Sequence, residues 1–217
     1  MNALEFNTRS KELQKLAPEI PLQWGKIQNN TTDKKVSLFK CKTLSSLELA
    51  ITGLPTDDKN YFKRRWFLWQ CARCDEYLFY TNTGVSRNPN GKDQEYDIEF
   101  FGDKNLRFDV KGTLVPKELR SNFSFEFPEK IVNFYYSKQS AGKRSCLQNR
   151  LFIVHHSFKE HKRALELRCA WEYKTEVYKS FIHQLKTSKN FISYLNVKAM
   201  VIFIIEKKDG SFSYRFA

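Results

Sequence analysis

Residues 95–113 read Glu-Tyr-Asp-Ile-Glu-Phe-Phe-Gly-Asp-Lys-Asn-Leu-Arg-Phe-Asp-Val-Lys-Gly-Thr. This segment contains two strand-like runs, Tyr96–Phe101 and Leu106–Lys111, separated by a turn signal that begins at Gly102. Short polar turns between such runs are typical of a β-hairpin. The sequence therefore predicts a pair of antiparallel strands here.

Three side chains of the predicted hairpin are candidates for chemistry. Side chains alternate between the two faces of a strand, so Asp109 and Lys111 lie on the same face. Asp97, in the neighbouring run, comes close to that pair if the hairpin forms. Two carboxylates suit Mg²⁺, which prefers oxygen ligands, and the backbone carbonyl of Val110 is a candidate third ligand. Lys111 is then placed to orient a water molecule or to stabilise negative charge on a phosphate.

These residues resemble the motif of the PD-(D/E)xK nuclease superfamily, whose members include restriction endonucleases and DNA-repair enzymes. Asp97 lies in Tyr-Asp-Ile-Glu-Phe, Asp109 and Lys111 lie in Phe-Asp-Val-Lys-Gly-Thr, and Tyr96 stands where the family name has proline. The resemblance implies a restriction-endonuclease-like fold over residues 58–206, with a helix, a three-stranded unit, a second helix and a further strand. It also implies in-line attack by water with a 5′-phosphate product, and often a homodimer.

The order of predicted elements indicates a mixed α+β or α/β fold, with a central mixed sheet flanked by helices. In chain order these elements begin with a short helix within 1–20, an ambiguous segment that fits a strand over 36–41 and a helical turn or two over 44–54, and a buried helix over 61–80. They continue with strands over 96–101, 106–111 and 151–154, a helix over 158–187, and a hairpin of 197–206 with 211–216. Loops are expected over 81–92 and 112–130, and 130–136 fits either helix or strand.

The length of the chain favours one globular unit. Within it we expect residues 1–55 to form an N-terminal elaboration packed on a nuclease-like core domain of residues 56–217. The role of the first 55 residues is left open, because the segment either binds the substrate or covers the sheet.

Charge and composition restrict the classes of partner. The chain has 37 Lys plus Arg against 24 Asp plus Glu, a net charge of +13, which favours a polyanion such as duplex DNA. A membrane role is not expected, since the longest apolar run, Ala199–Ile205, is far too short to span a bilayer. Five Cys in no regular framework and no apolar signal core near the start are typical of a reduced cytoplasmic protein.

Two basic segments are candidates for contacts with phosphates, and a solvated basic surface is the alternative for either. The candidate nucleic-acid-binding residues are Lys63, Arg64 and Arg65 on the buried helix, and Lys138, Lys143, Arg144 and Arg150 in a segment expected to be a flexible loop. Gln139 and Gln148 of that segment are candidates for reading base edges.

The acidic residues also have other interpretations. Asp97 and Asp109 can be surface charges of a hairpin with Lys111 as their cross-strand partner. Glu99 shares a strand face with Asp97 and is a candidate accessory ligand, although a solvated charge is the simpler interpretation. Glu76, on the helix that precedes the motif, is a second accessory candidate, and an ordinary helix-surface carboxylate is the alternative.

The sequence gives little support for a zinc site, a histidine cluster or an organic cofactor. Cys71 and Cys74 have the spacing of a zinc knuckle, but no second pair of ligands follows. His155, His156 and His161 are expected to be satisfied locally. No organic cofactor is expected, because the sequence has neither a Gly-x-Gly-x-x-Gly fingerprint nor a P-loop.

The favoured function is a metal-dependent endonuclease that hydrolyses DNA phosphodiester bonds, of restriction or repair type, with Mg²⁺ as its ion and Mn²⁺ as a substitute. The alternative functions are a basic nucleic-acid-binding module without catalysis and a domain that binds an acidic protein.

Overall fold

The computed structural model of the chain describes residues 1–22, 24, 30–90, 95–139 and 147–217, with the backbone alone at 30 and 139. The chain divides into two compact units, Met1–Cys74 and Asp75–Ala217. The last residues of the helix Thr56–Tyr80 belong to the second unit.

The first unit is helical. Its helices are α1 (Ala3–Leu16), α2 (Asn30–Asp33), α3 (Leu44–Ile51) and the larger part of α4 (Thr56–Tyr80). Helix α1 begins at a capping box, in which Asn2 and Glu5 each accept the other's backbone N–H. The strand alternative for 36–41 is wrong, because Leu38–Lys40 forms a 3₁₀ turn with its own local hydrogen bonds.

The second unit is built on a seven-stranded mixed sheet. Its strands are β1 (Val85–Arg87), β2 (Ile98–Phe100), β3 (Arg107–Leu114), β4 (Arg150–Ser157), β5 (Ile192–Tyr194), β6 (Val197–Glu206) and β7 (Phe212–Phe216). The order is β1-β2-β3-β4-β6-β5, and β7 also pairs with β6. The first three strands form an antiparallel meander, β3, β4 and β6 are parallel, and β5 and β7 are antiparallel to β6.

Helices connect the parallel strands, as parallel pairing requires. Helix α5 (Pro128–Gln139) lies between β3 and β4, and α6 (His161–Glu166) and α7 (Trp171–Thr187) lie between β4 and β6. The first six residues of β4 are buried, so the centre of the sheet is covered on both faces. Helix α5 packs on it through a cluster that includes Ile131, Tyr135 and Phe152.

Several sequence expectations are confirmed and others are corrected. The mixed α/β class, the buried helix, the strand at 151–154 and the closing hairpin with its Asp-Gly turn are confirmed. Residues 130–136 are helical, and 85–87 and 192–194 form short strands that the sequence did not predict. The long helix over 158–187 is interrupted by a 3₁₀ turn at Leu167–Cys169. In the part of the chain that the structure describes, no helix is long and apolar enough to cross a bilayer.

Candidate active site

The antiparallel meander brings the two predicted aspartates together. Strands β2 and β3 pair Ile98 with Phe108 and Glu99 with Arg107. Asp97 directly precedes this pairing, and Asp109 directly follows it on the neighbouring strand. A backbone hydrogen bond of 2.9 Å from the Asp97 N–H to the Phe108 carbonyl fixes the position.

Asp97 is a half-buried carboxyl group under opposing influences. Its Oδ2 accepts a hydrogen bond of 2.8 Å from the Val110 N–H. Burial and, next, the neighbouring Asp109 carboxylate raise the pKa of Asp97, Lys111 and the Val110 N–H lower it, and the net result is a pKa of about 6. A side-chain hydrogen bond between Asp97 and Asp109 also raises the pKa of Asp97. The two carboxyl groups are therefore in direct contact.

Asp109 lies between two cations. Its side chain is 7% exposed, and Lys111 Nζ lies 2.5 Å from its Oδ1. Arg150 Nε lies 3.5 Å from its Oδ2. Lys111 comes from the same strand two residues along, whereas Arg150 opens β4 and is the register partner of Asp109 in the parallel pair. Two acidic and two basic side chains thus meet at one end of the parallel strands.

Arg150 is enclosed rather than exposed. Its residue exposure is 3%, and its guanidinium lies over the ring of Tyr136 at 4.8 Å from the ring centroid. Tyr136, on α5, donates a hydrogen bond of 2.7 Å to the carbonyl of Gln148, and burial raises the pKa of its hydroxyl. The arginine therefore belongs to the floor of the site.

The donor set fits a divalent cation in part. Two carboxyl groups in contact, with the pKa of Asp97 raised by burial and by Asp109, form a place where added positive charge is favourable. The Val110 carbonyl lies on the same edge of β3 as the N–H that Asp97 binds, because both groups of a strand residue point to one edge. Within the described ranges, no three or more His, Cys, Asp or Glu side chains form a metal-binding group, so the fit depends on two carboxylates and a backbone oxygen.

Comparisons with known proteins give no relative for this chain. No protein-family model, no curated protein and no solved structure matches it. What the chain does must therefore be inferred from the side chains of the site itself.

The two accessory acids are placed differently from the central pair. Glu99 forms a cross-strand ion pair with Arg107 at 2.5 Å, and the guanidinium of Arg107 lies over the Tyr96 ring. Glu99 is therefore a charged strand residue whose ion-pair partner is Arg107. Glu76 lies half-buried on α4.

The basic triplet of α4 is engaged within the first unit. Arg64 is buried and donates to the Pro21 carbonyl, and Arg65 donates to the carboxylate of Asp33. Lys63 Nζ lies 3.8 Å from a carboxylate oxygen of Glu19. The interpretation of this triplet as a solvated basic surface is therefore wrong for Arg64, Arg64 and Arg65 already have hydrogen-bond acceptors, and Lys63 lies near an acidic partner.

The second basic segment is partly helical. Lys138 is exposed in the last turn of α5, and Lys143 and Arg144 lie outside the described residues. Arg150 opens β4, so its expected place in a flexible loop is wrong. Of the residues in this set that the structure describes, Lys138 is the exposed one, and its ammonium group can contact a phosphate directly.

The other candidate ligands are structural. Cys71 and Cys74 are buried side chains on α4. His155 is buried, its Nδ1 lies 3.0 Å from the Thr113 carbonyl, and burial lowers its pKa well below the usual value. His156 packs against Phe123 and other aromatic rings. These residues add nothing to the carboxylate pair.

Sequence reasoning missed the true position of Arg150 and the part played by Tyr136. A signal for the arginine exists, because it directly precedes the apolar run 151–154 and so opens a buried strand. If that strand is parallel to β3, its first residue lies at the same end of the sheet as Asp109. The Tyr136 ring that contacts Arg150 belongs to α5, a segment whose sequence fits either a helix or a strand.

Proposed function

We propose that this chain is a metal-dependent endonuclease that hydrolyses phosphodiester bonds in duplex DNA, of restriction or repair type, using Mg²⁺ or Mn²⁺. The observation that carries the proposal is the contact of the Asp97 and Asp109 carboxyl groups beside Lys111, with the pKa of Asp97 raised to about 6. Like charges held together in a partly buried place oppose folding, and such arrangements are typical of functional sites.

Each side chain has a distinct task in this proposal. Asp97 and Asp109, with the Val110 carbonyl, hold the divalent cation. When bound, that ion supplies positive charge to phosphate oxygens and activates a water molecule. Lys111, whose side chain is 33% exposed, donates hydrogen bonds to the water or to a phosphate oxygen. Asp109 lies between Lys111 and Arg150, whose positive charges offset the negative charge of its carboxylate.

The topology of the second unit supports the proposal. Helix α4 is followed by the meander β1-β2-β3, then α5, then β4 parallel to β3. A helix, a three-stranded unit, a helix and a further strand are what the resemblance to the PD-(D/E)xK superfamily implies, and a restriction-endonuclease-like fold is part of the proposal. The net charge of +13 supports a polyanionic substrate.

Cleavage of supercoiled plasmid tests this proposal. The wild-type protein is expected to nick or linearise the plasmid with Mg²⁺ or Mn²⁺ and to leave it intact with EDTA. Asp97→Asn and Asp109→Asn remove the ligand charge at nearly constant shape, so each is expected to slow cleavage at least about 100-fold. Gel quantification of the three plasmid forms gives the rates.

Asp209→Asn is the matched control. Asp209 is exposed in the turn between β6 and β7, where it accepts hydrogen bonds from Ser211, and the variant is expected to cut at the wild-type rate. Loss of cleavage in all variants including this control would point to a fault in the protein rather than in the site. Metal-independent cutting, or cutting unaffected by the two site variants, would overturn the proposal.

A second candidate function is a basic nucleic-acid-binding module without catalysis. One observation favours it: Lys111 and Arg150 both pair with Asp109, so the two acids and two bases form a set with no net charge. A closed set of this kind can be purely structural. DNA binding that weakens steeply with salt, together with no cleavage under any metal condition, would support this second function instead.

A further inference from the structure

The two cations on Asp109 differ in their freedom to move. Lys111 is on the same strand, its side chain is 33% exposed, and its ammonium ends a flexible chain. The Arg150 side chain is 4% exposed and its guanidinium rests on the Tyr136 ring. Withdrawing Lys111 needs only rotations about its own side-chain bonds, whereas withdrawing Arg150 would break ring packing and expose a buried segment.

The two cations also differ in how closely they contact Asp109. Lys111 is already in close contact with Asp109 Oδ1 at 2.5 Å. Arg150 Nε, at 3.5 Å from Oδ2, and its Nη1 have no hydrogen-bond acceptor among the described residues. A closer approach of about 0.5 Å brings Nε within hydrogen-bond distance of Oδ2. The arginine therefore has unused capacity to hold Asp109.

We propose that Arg150 is a positioning residue that stays on Asp109 Oδ2, while Lys111 is the exchangeable cation that leaves Oδ1 when a divalent cation is bound. The proposal rests on the proposed function and goes beyond it by giving the two cations different roles. With Arg150 in place, the negative charge of Asp109 is shared, so Lys111 is released easily. Without Arg150, Lys111 is the sole counter-ion of a buried carboxylate and is harder to displace.

Opposite effects of two substitutions on Mn²⁺ affinity follow from this difference. Lys111→Met removes a competing charge next to the ligand and is expected to tighten Mn²⁺ binding about fivefold. Arg150→Met keeps the length of the side chain over Tyr136 but loses its charge and hydrogen bonds, and is expected to weaken Mn²⁺ binding about tenfold, the size of effect that outer partners of metal ligands have. Arg150→Lys keeps a charge and is expected to restore most of the affinity.

The experiment is titration of the full chain with Mn²⁺, followed by the electron paramagnetic resonance signal of the unbound ion. Arg215→Met, an exposed arginine of β7, is the matched control for loss of one positive charge and is expected to bind as the wild type does. Thermal unfolding of each variant checks folding. If Arg150→Met fails to fold, Arg150→Lys decides, with affinity between wild type and a tenfold loss expected.

Two kinds of failure are distinguishable. If the wild type binds Mn²⁺ but Arg150→Met and Lys111→Met change the affinity equally, or Arg150→Met alone tightens it, the assignment of roles is overturned and the proposed function stands. If the wild type binds no Mn²⁺ and cuts no DNA, both the proposed function and this inference are overturned.

Discussion

The carboxylate of Asp97 accepts a hydrogen bond from the Val110 N–H at 2.8 Å, one residue beyond Asp109 on the neighbouring strand. This bond occurs where the recorded pairing of β2 with β3 has ended, since the last pair is Ile98 with Phe108. Asp97 therefore takes the place of a strand partner for Val110, and its carboxyl group is held beside that of Asp109. The contact between the two acids is a consequence of how the hairpin ends.

The first prediction concerns the stability of the metal-free protein. Because the folded-state pKa of Asp97 is raised from 3.8 to about 6, the neutral carboxyl stabilises the fold below 3.8, and this stability is lost as pH rises to about 6. Asp97→Asn stays neutral and can still accept the Val110 N–H. The variant is expected to be more stable than the wild type by up to about 3 kcal/mol near pH 8, and by much less near pH 4. Thermal unfolding without divalent ions at both pH values measures this.

Asp103→Asn is the comparison for that experiment, because Asp103 is an exposed acid of the same hairpin whose pKa is lowered by hydrogen bonds from Asn105. No gain in stability near pH 8 is expected for it. Equal stability of Asp97→Asn and wild type near pH 8 would mean that the two carboxyl groups do not oppose each other.

The second prediction concerns the buried ion pair of Lys174 and Asp75 in the second unit. Lys174, fully buried on α7, pairs with Asp75, which also accepts a hydrogen bond of 2.8 Å from the Tyr178 hydroxyl. Lys174→Met leaves a buried carboxylate without its counter-ion and is expected to cost about 3–5 kcal/mol of unfolding free energy. Urea unfolding followed by circular dichroism measures the change.

Lys179→Met is the matched control, since Lys179 lies on the same helix but its pair with Glu176 is exposed, and a loss below about 1 kcal/mol is expected. The double variant Asp75→Asn with Lys174→Met removes both charges and is expected to recover part of the lost stability. Similar losses for the two lysines would show that the Lys174 pair has no special energetic role.

The third prediction concerns the glycine that follows Lys111. A Cβ at Gly112 would lie 2.5 Å from Nη2 of Arg168, whose Nη1 donates a hydrogen bond of 2.6 Å to the Gly112 carbonyl. Arg168 is 3% exposed and has little room to retreat. Gly112→Ala is expected to cost about 1–3 kcal/mol by overpacking, measured by urea unfolding. Adding Arg168→Met should make the two losses less than additive, and strict additivity would contradict the account.

The fourth prediction separates exposed from engaged basic residues. Lys138 is exposed at the end of α5, so Lys138→Ala is expected to reduce the slope of log affinity for duplex DNA against log salt by about one. Arg65 is already bound to Asp33, so Arg65→Met should lower folding stability and leave that slope unchanged. Fluorescence anisotropy over a salt series gives the slopes, and a reduced slope for Arg65→Met would contradict its assignment.

Elements with a strong local pattern could be predicted from the sequence, and those formed by distant contacts could not. The apolar run at 151–154 and the Asp-Gly turn at 209–210 identify their strands directly. Strands β1 and β5 have three residues each, too few for an alternating pattern. The break at Leu167–Cys169 follows from a tertiary contact, because Arg168 in this turn reaches the Gly112 carbonyl.

The candidate site also has one part that local sequence patterns predict and one part that they do not. The meeting of Asp97, Asp109 and Lys111 follows from strand alternation and a short turn, both of which are local. The place of Arg150 depends on the register of a parallel pair formed across a long connection, and no local pattern specifies that register. The sequence could therefore predict the acids but not the second cation on Asp109.

The most direct measurement is the rate at which Lys111→Met protein cuts supercoiled plasmid at saturating Mn²⁺, beside the wild type. Lys111 is not a ligand in this account, so loss of its ammonium removes charge stabilisation without removing the ion. We expect cleavage by the wild type and cleavage at least about 100-fold slower by the variant, with Mn²⁺ bound at least as tightly. Equal rates for the two proteins, or no metal-dependent cleavage by the wild type, would contradict the claim that these residues form a nuclease site.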